Sequence, residues 1–473
     1  MDDGSCGSDR TGRCAGRRLS RRTFLGLAGV SAVTAAAGCS GGEDSPPATE
    51  TSTGSRATAT ADPTPTTGEP TTATSTAAGG FDADALSASP GSHLAPADGF
   101  ADASWLAERD LSVVRVTTLD ASGEGSLRWA LSEPGPRVVV FEVGGVVDLG
   151  GESLTVSRPN VFVAGQTAPS PGITLVRGGL HVDADNVILH HLRARPGDEV
   201  PAPIDAIGNV GGSNLIIDHC TAAWGTDEGL STNSGPDAPD ITFTNNLVAE
   251  SLNDSIHPKG EHAYGTLVMN RSKRVTLAGN LWAHNVGRHP RLKGGTTTVV
   301  ANNVMYDFER GTNLGGGGAD ETLASVVGNY YRGGPSTPET EPVVGTTFTD
   351  ATGPIEAFVA YNETDPSTIP VLGEGTRVEV ASERPLWPES LTTVGAADAY
   401  ESTLATVGAR PADRSPHDER VLSNVRDRSG GSIDSQSEVG GYPDFEATER
   451  SLSVPDSGLG AWLREHTAAV ETN

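Results

Sequence analysis

Seven short segments of this chain end on the same kind of position at nearly the same spacing. They read NVILHHL, NLIIDHC, ITFTNNL, VTLAGNL, TVVANNV, SVVGNYY and FVAYN. Each is an alternating apolar strand that runs into a near-fixed position, at Leu192, Cys220, Asn246, Asn280, Asn303, Asn329 and Asn362. The intervals are 28, 26, 34, 23, 26 and 33 residues. Strands recurring at such a period, with no amphipathic helix between them, mark a solenoid and exclude a series of βαβ units. The expected fold is all-β: a parallel β-helix whose neighbouring coils stack strand on strand. Five successive asparagines at one position then form a ladder, each amide bonding the next and the backbone of a tight turn.

Earlier coils are supplied by VVRVTTL, RVVVFEVGGVV, SLTVSRPNVFVAG and ITLVRGGLHV. Between the first two lies SGEGSLRWALSEPG, in which Leu127, Ala130 and Leu131 share one helical face. Gly125 or Ser126 opens that turn and Pro134-Gly135 ends it, so this helix is the candidate N-terminal cap over the open solenoid core. The ladder stops near residue 380. AADAYESTLATVGA and DERVLSNVRDR read as surface helices, which makes 381–473 a C-terminal appendage on a β-helix spanning 91–380.

The first ninety residues have a different character. Arg21-Arg22, the apolar run from Phe24 and the stop at Ala37-Gly38-Cys39 resemble a twin-arginine export signal ending in a lipobox. The expectation is an extracellular protein, lipid-anchored through Cys39 to the outer face of the cell membrane. Residues 39–90 are rich in Ser, Thr, Pro and Ala and read as a solvated linker. The four cysteines, Cys6, Cys14, Cys39 and Cys220, do not make a disulfide scaffold at this length.

Charge narrows the function. The chain carries 33 Lys+Arg against 61 Asp+Glu, a formal charge of -28, with only three lysines. Such a surface repels nucleic acid, and its composition resembles that of proteins from salt-loving microbes. Against that background residues 255–295 hold seven basic residues, Lys259, Arg271, Lys273, Arg274, Arg288, Arg291 and Lys293, and one acid, Glu261. With so few local acids, the complement is expected among the acids at 198–228. A cationic groove on an anionic chain points to an anionic substrate. Asp198, Glu199, Asp205, Asp227 and Glu228 form the separate acidic set. Asp205 and Asp227 are one coil apart, and oxygen-only donors suit Ca²⁺ rather than Zn²⁺. Asp218-His219-Cys220 is read as core-stacked, not as a thiol nucleophile and base. Asn253, Asn270 and Asn362 head glycosylation sequons, the last of them a ladder residue.

IIDHCTAAWGTDEGLS, HPKGEHAYG and NVGRHPRLKGGTTTVVANNVMYDF together resemble the pectate lyases of the right-handed parallel β-helix class. LDASGEGSLRWAL, VAGQTAP and VILHHLRARPGD resemble the same family. The resemblance implies calcium-assisted β-elimination of an acidic polysaccharide, polygalacturonate or pectin, by a monomer. It puts Asp205 and Asp227 among the calcium ligands, with Ser231 standing where the family has a second acid, a place for which Glu228 or Asp198 compensates. It makes Arg288, in Arg-x-Pro, the base that takes the C5 proton, with Lys259 as rival, and Lys293 a substrate-binding residue. Arg291, His257 and His262 join Lys293 in the substrate-binding set. Two other functions fit a solenoid of this kind: a glycoside hydrolase using a carboxylate pair, and a surface protein that binds anionic glycans without cleaving them.

Overall fold

The computed structural model describes residues 98–472 apart from 347–348 and 374–375. The export signal, Cys6, Cys14, Cys39 and the linker lie outside the described residues. Within them the strands form three parallel sheets of a β-helix, coiled with the right hand that parallel crossovers impose. The first sheet has 11 strands, from Ser112–Val116 to Glu379–Val380. The second has 10, including Leu192–Arg195, Thr221–Ala223 and Leu247–Ala249, with Thr448–Glu449 added antiparallel at one end. The third has eight, among them Ile207–Asn209, Glu228–Thr232, Tyr264–Val268 and Arg291–Leu292. One coil runs Val187–His190, Leu192–Arg195, Ile207–Asn209, and then up to Leu215–Asp218 in the first sheet again.

Parallel register stacks like on like. Val163, Leu189, Ile217, Phe243, Leu277, Val300 and Val326 are successive partners in the first sheet and form one inward apolar column. A slip of one residue in any strand would turn its column outward, so burial itself fixes register.

The corner from the first to the second sheet is made by one residue in left-handed conformation. It is His191, His219, Asn245, Gly279, Asn302, Gly328 or Tyr361, with φ between 47° and 67°. Immediately after each comes the ladder position. Asn303 shows the pattern: its Nδ2 donates to Leu277 O at 2.9 Å and to Asn329 Oδ1 at 2.9 Å. Its Oδ1 accepts from Asn280 N at 2.9 Å and Asn280 Nδ2 at 3.0 Å. The same bonds link Cys220 N, Asn246, Asn280, Asn303, Asn329 and Asn362 in unbroken order. Left-handed backbone costs about 1–2 kcal/mol at a residue with a Cβ, and the ladder satisfies the peptide groups that the sharp corner takes out of the sheets.

The helix Leu127–Ser132 closes the N-terminal end. Ser126 is its N-cap, accepting from Trp129 N, and Leu127, Ala130 and Leu131 face the core. Buried Arg137 donates to Ala130 O and Leu131 O at its C-terminal end, where a cation is favoured.

The C-terminal segment runs across the second sheet from coil to coil. Asp418 accepts from Arg193 Nε at 2.9 Å and Arg195 Nη2 at 2.6 Å, all three buried. Ala409 N meets Thr221, and Arg420 grips Glu250 with both nitrogens at 2.6 and 2.7 Å. Asn424 meets His284, Ser429 O accepts from Tyr306 Oη, and Arg332 donates to Val425 O. The helix Leu459–Glu471 lies instead on the first sheet, with Leu463 in one cluster with Val138 and Phe162. These contacts leave the outer face of the third sheet uncovered by the C-terminal segment.

The ladder makes a direct prediction. Asn303→Ala leaves Leu277 O and Asn280 N–H buried without their partners and should destabilise the fold by about 1–3 kcal/mol, read from urea unfolding midpoints. A circular dichroism spectrum dominated by helix would contradict the fold itself.

Candidate active site

The third sheet and its loops carry the candidate residues. Asp205 sits just before Ile207–Asn209, and the register that pairs Ile207 with Leu230 sets Asp205 against Glu228. The Glu228 amide donates to Asp205 Oδ1 at 3.0 Å, and the Ser231 hydroxyl donates to Asp205 Oδ2. The acid directly stacked on Asp205 is therefore Glu228, with Asp227 beside the pair. Donor oxygens of Asp205, Asp227 and Glu228 lie within 4.8 Å of one another. Ser231 keeps contact with this group as a hydrogen-bond donor to an acid.

One coil further, Glu228 pairs with Tyr264, and Tyr264 bridges to Gly287. Arg288 follows, held by bonds from Gly265 N to Gly287 O (3.0 Å) and from Thr266 N to Arg288 O (2.7 Å). Its left-handed backbone, φ 64°, turns the side chain back over the sheet. There the guanidinium lies 3.9 Å from the centroid of the Tyr264 ring and forms an ion pair with Glu228. Arg291 occupies the next strand, buried, with Asp350 at 4.0 Å. Lys293 follows it. Lys259 is exposed on its loop, its amide donating to His257 Nδ1 at 3.2 Å. Arg291, Arg288 and Lys259 all act on Lys293, so four cations converge on one groove.

The electrostatics separate groups of the same type. Burial pushes the Asp205 carboxyl up to about 6; the Ser231 bond opposes this and the Asp227 charge adds to it. Burial also raises Asp227, but the hydrogen bond and charge of His262, then His257 and Arg288, hold it below the usual carboxylate range. Burial and the Arg291 charge bring Arg288 down to about 10, against the pull of Asp227 and Asp205. Burial, then Arg291 and Arg288, lower Lys293.

Several expected members stand elsewhere. His257 and His262 stack face to face, centroids 3.7 Å apart, and both point Nε2 at Asp227 Oδ1, at 3.7 and 2.8 Å. They belong to the acidic group, since both rings face a carboxylate of this chain. Three of the seven local cations are likewise consumed by the scaffold. Arg271 pairs with Asp320 at 2.8 Å, Arg274 with Asp240, and Lys273 donates to Gly295 O. Their complement is not the acids at 198–228. Asp198 is bound by Gln436 Nε2 at 2.6 Å, and Glu199 faces Arg177 at 3.8 Å, which takes both out of the acidic cluster. Cys220 is buried, its thiol pushed up to about 12 by burial. His219 is not inside the solenoid core: it stands at a corner, stacked on His191. Tyr264, Asn313, Arg310 and Asp350 border the groove and were not singled out by sequence reasoning. Tyr264 was readable in part, being the aromatic that ends the HPKGEHAYG loop.

No protein-family model matches the chain. A probable pectate lyase C from Aspergillus flavus is 32% identical over 388 residues, which cover 79% of this chain and 86% of that protein. A probable pectate lyase C from Emericella nidulans is 38% identical over 286 residues, 60% of either chain. In fold, the chain is similar to a solved pectate lyase bound to a hexasaccharide, with a TM-score of 0.50 at 15% identity over 67% of this chain and 98% of that one.

The raised Asp205 gives a linkage prediction. Its folded-state value, about 6, lies above the unfolded value, so its contribution is fully present below the unfolded value and lost as pH rises through about 6. Asp205→Asn keeps the neutral shape. With a chelator present, the variant should melt with the parent near pH 4 and a few degrees above it near pH 7.5. Equal melting temperatures at both pH values would show that Asp205 bears no burial strain.

Proposed function

The chain belongs to the pectate lyase family, and we propose that it cleaves polygalacturonate by calcium-assisted β-elimination, with Arg288 as the base. The observation that carries this reading is the Arg288 guanidinium, mostly covered beside three carboxylates and brought down to about 10. A guanidinium is otherwise too weakly acidic to cycle as a base, so burial next to Arg291 is what makes the role chemically reasonable.

Asp205, Asp227 and Glu228 fit calcium as an oxygen-only donor set. When bound there, the cation would neutralise a uronate carboxylate and so ease loss of the proton alpha to it. Arg288 takes that C5 proton. The electron pair of the broken C–H bond forms the C4–C5 double bond, and the bond from C4 to the glycosidic oxygen breaks with its pair going to that oxygen, which takes up a proton from solvent. Lys293, Arg291 and Lys259 hold uronate carboxylates along the groove, and Tyr264 keeps the guanidinium plane fixed. Glu228 is both partner to Arg288 and member of the acidic set, so a cation drawing on Glu228 weakens its hold on Arg288. His257 and His262 keep Asp227 ionised and in place.

Export through Arg21-Arg22, a lipid anchor at Cys39 and monomeric action belong to the same proposal, supported by the residues quoted above. Of the sequons, Asn270 is exposed, whereas the Asn362 amide is used by the ladder. Among the described residues no helix is long and apolar enough to cross a membrane.

Incubation with polygalacturonate should yield a product absorbing in the ultraviolet as an unsaturated uronide, and only with calcium. New reducing ends without that absorbance would mean hydrolysis; an unchanged polymer length would mean binding alone. Arg288→Lys keeps the charge but loses the planar fork. It should lose about 10²-fold or more in kcat, with KM little changed. Lys293→Ala should raise KM, since it removes binding shared by ground and transition states. If Lys259→Ala abolishes turnover while Arg288→Lys remains active across pH, the base is Lys259.

A further inference from the structure

The chain holds a second cluster of titratable groups, away from the groove, that the reaction does not use. His191 and His219 occupy the left-handed corner of successive coils, so the stack brings their rings together, centroids 5.2 Å apart and 23° from parallel. Glu471, in the last turn of the helix Leu459–Glu471, reaches between them. Its Oε1 lies 3.2 Å from His191 Nε2 and 3.6 Å from His219 Nδ1. Asp218 Oδ2 lies 3.1 Å from the same His219 Nδ1. The side chains of His191, His219 and Asp218 are all at least nine-tenths buried.

Three atoms in this cluster, His191 Nε2, His219 Nδ1 and Glu471 Oε1, are buried and make no hydrogen bond. For His191 the reason is clear. Its Nδ1 lies 2.7 Å from Ala409 O, which can only accept, so Nδ1 carries the proton and Nε2 of the neutral ring is a bare lone pair. That lone pair faces a carboxylate oxygen. Two acceptors turned toward each other in a buried place require a positive centre between them.

The distances fit a particular one. Donors about 2.0 Å from a tetrahedral centre stand about 3.3 Å from each other; Glu471 Oε1 stands 3.2 and 3.6 Å from the two ring nitrogens, and one donor atom from each of these three residues lies within 4.8 Å of the others. The ring whose far nitrogen donates to a backbone carbonyl is how a metal-binding histidine is usually oriented. Mixed nitrogen and oxygen donors suit zinc rather than calcium. We propose that His191, His219 and Glu471 hold a zinc ion, with Asp218 beside His219, and that this site clasps the C-terminal helix to the first-sheet corner of the solenoid.

Metal content tests this independently of any lyase activity. The two other groups able to hold a cation, Asp205–Asp227–Glu228 and Asp227–His257–His262, share Asp227. Among the described residues, the full chain carrying Asp227→Asn therefore retains only the proposed clasp as a three-residue cation group. After dialysis against zinc and then metal-free buffer it should keep about one zinc per chain. Adding Glu471→Gln should weaken zinc binding at least about tenfold. Cobalt substituted into the Asp227→Asn protein should give the visible absorption of four-coordinate Co²⁺, requiring no change to the clasp itself. Chelation should lower the melting temperature of the Asp227→Asn protein but not that of the doubly substituted one. The proposal falls if the Asp227→Asn protein retains no zinc, or if Glu471→Gln leaves its zinc content and cobalt spectrum unchanged. Zinc-free protein with unaltered stability would mean that the rings are protonated and neutralise the carboxylates themselves.

Discussion

The structure depends on one recurring hydrogen-bonding unit, an asparagine amide that spans two coils at a left-handed corner. A parallel sheet needs a crossover, and here the first crossover of seven successive coils, from His191 to Tyr361, is shortened to one or two residues. Such a corner exposes peptide groups that neither adjoining sheet can bond. Asn246, Asn280, Asn303, Asn329 and Asn362 bond them instead, each reaching back to the carbonyl three residues before the previous ladder position. With this corner fixed, the long connections lie elsewhere in each coil, between the second and third sheets and between the third and the first, where loops can vary without disturbing the stack. The groove is built from those loops and from the strands they enter.

The groove concentrates charge in a way that free water would not permit. Asp205 and Asp227 are neighbours of the same chemical type, yet one is raised by burial and the other lowered by two imidazoles. Pushing like groups apart lets one site hold a proton acceptor and a proton holder at the same pH. Arg288 is subject to opposing demands. Burial and Arg291 favour its neutral form, while Glu228, Asp227 and Asp205 favour its charged form. The balance rests with whatever engages those carboxylates.

The sequence showed the ladder because the same side chain recurs where the same backbone need recurs. It showed the cap helix for a similar reason: Ser126, Leu127, Ala130 and Leu131 satisfy local rules that no distant residue overrides. Arg288, Lys293, Asp205 and Asp227 were named from a family resemblance and stand near one another. Partners across coils were hidden, because coil lengths from 23 to 34 residues prevent register from being counted along the chain. Hence Glu228, not Asp227, faces Asp205; Arg271 and Arg274 find Asp320 and Asp240; and Asp350 reaches Arg291 from a distant loop. The corners at His191, His219 and Tyr361 were hidden too, since a residue with a Cβ gives no notice of left-handed backbone as Gly279 and Gly328 do.

The contacts from Ala409 to Ser429 reach six successive coils along the second sheet, at Arg193, Thr221, Glu250, His284, Tyr306 and Arg332. A solenoid joined only through adjacent coils can fray from either end and can gain or lose a repeat with little penalty. A segment tied to six rungs behaves as a ruler. Duplicating or deleting any one of those coils would put Asp418, Arg420 and Asn424 opposite the wrong rungs and bury Arg193 or Glu250 without a counter-charge. The number of coils is thereby held constant by a segment that belongs to none of them.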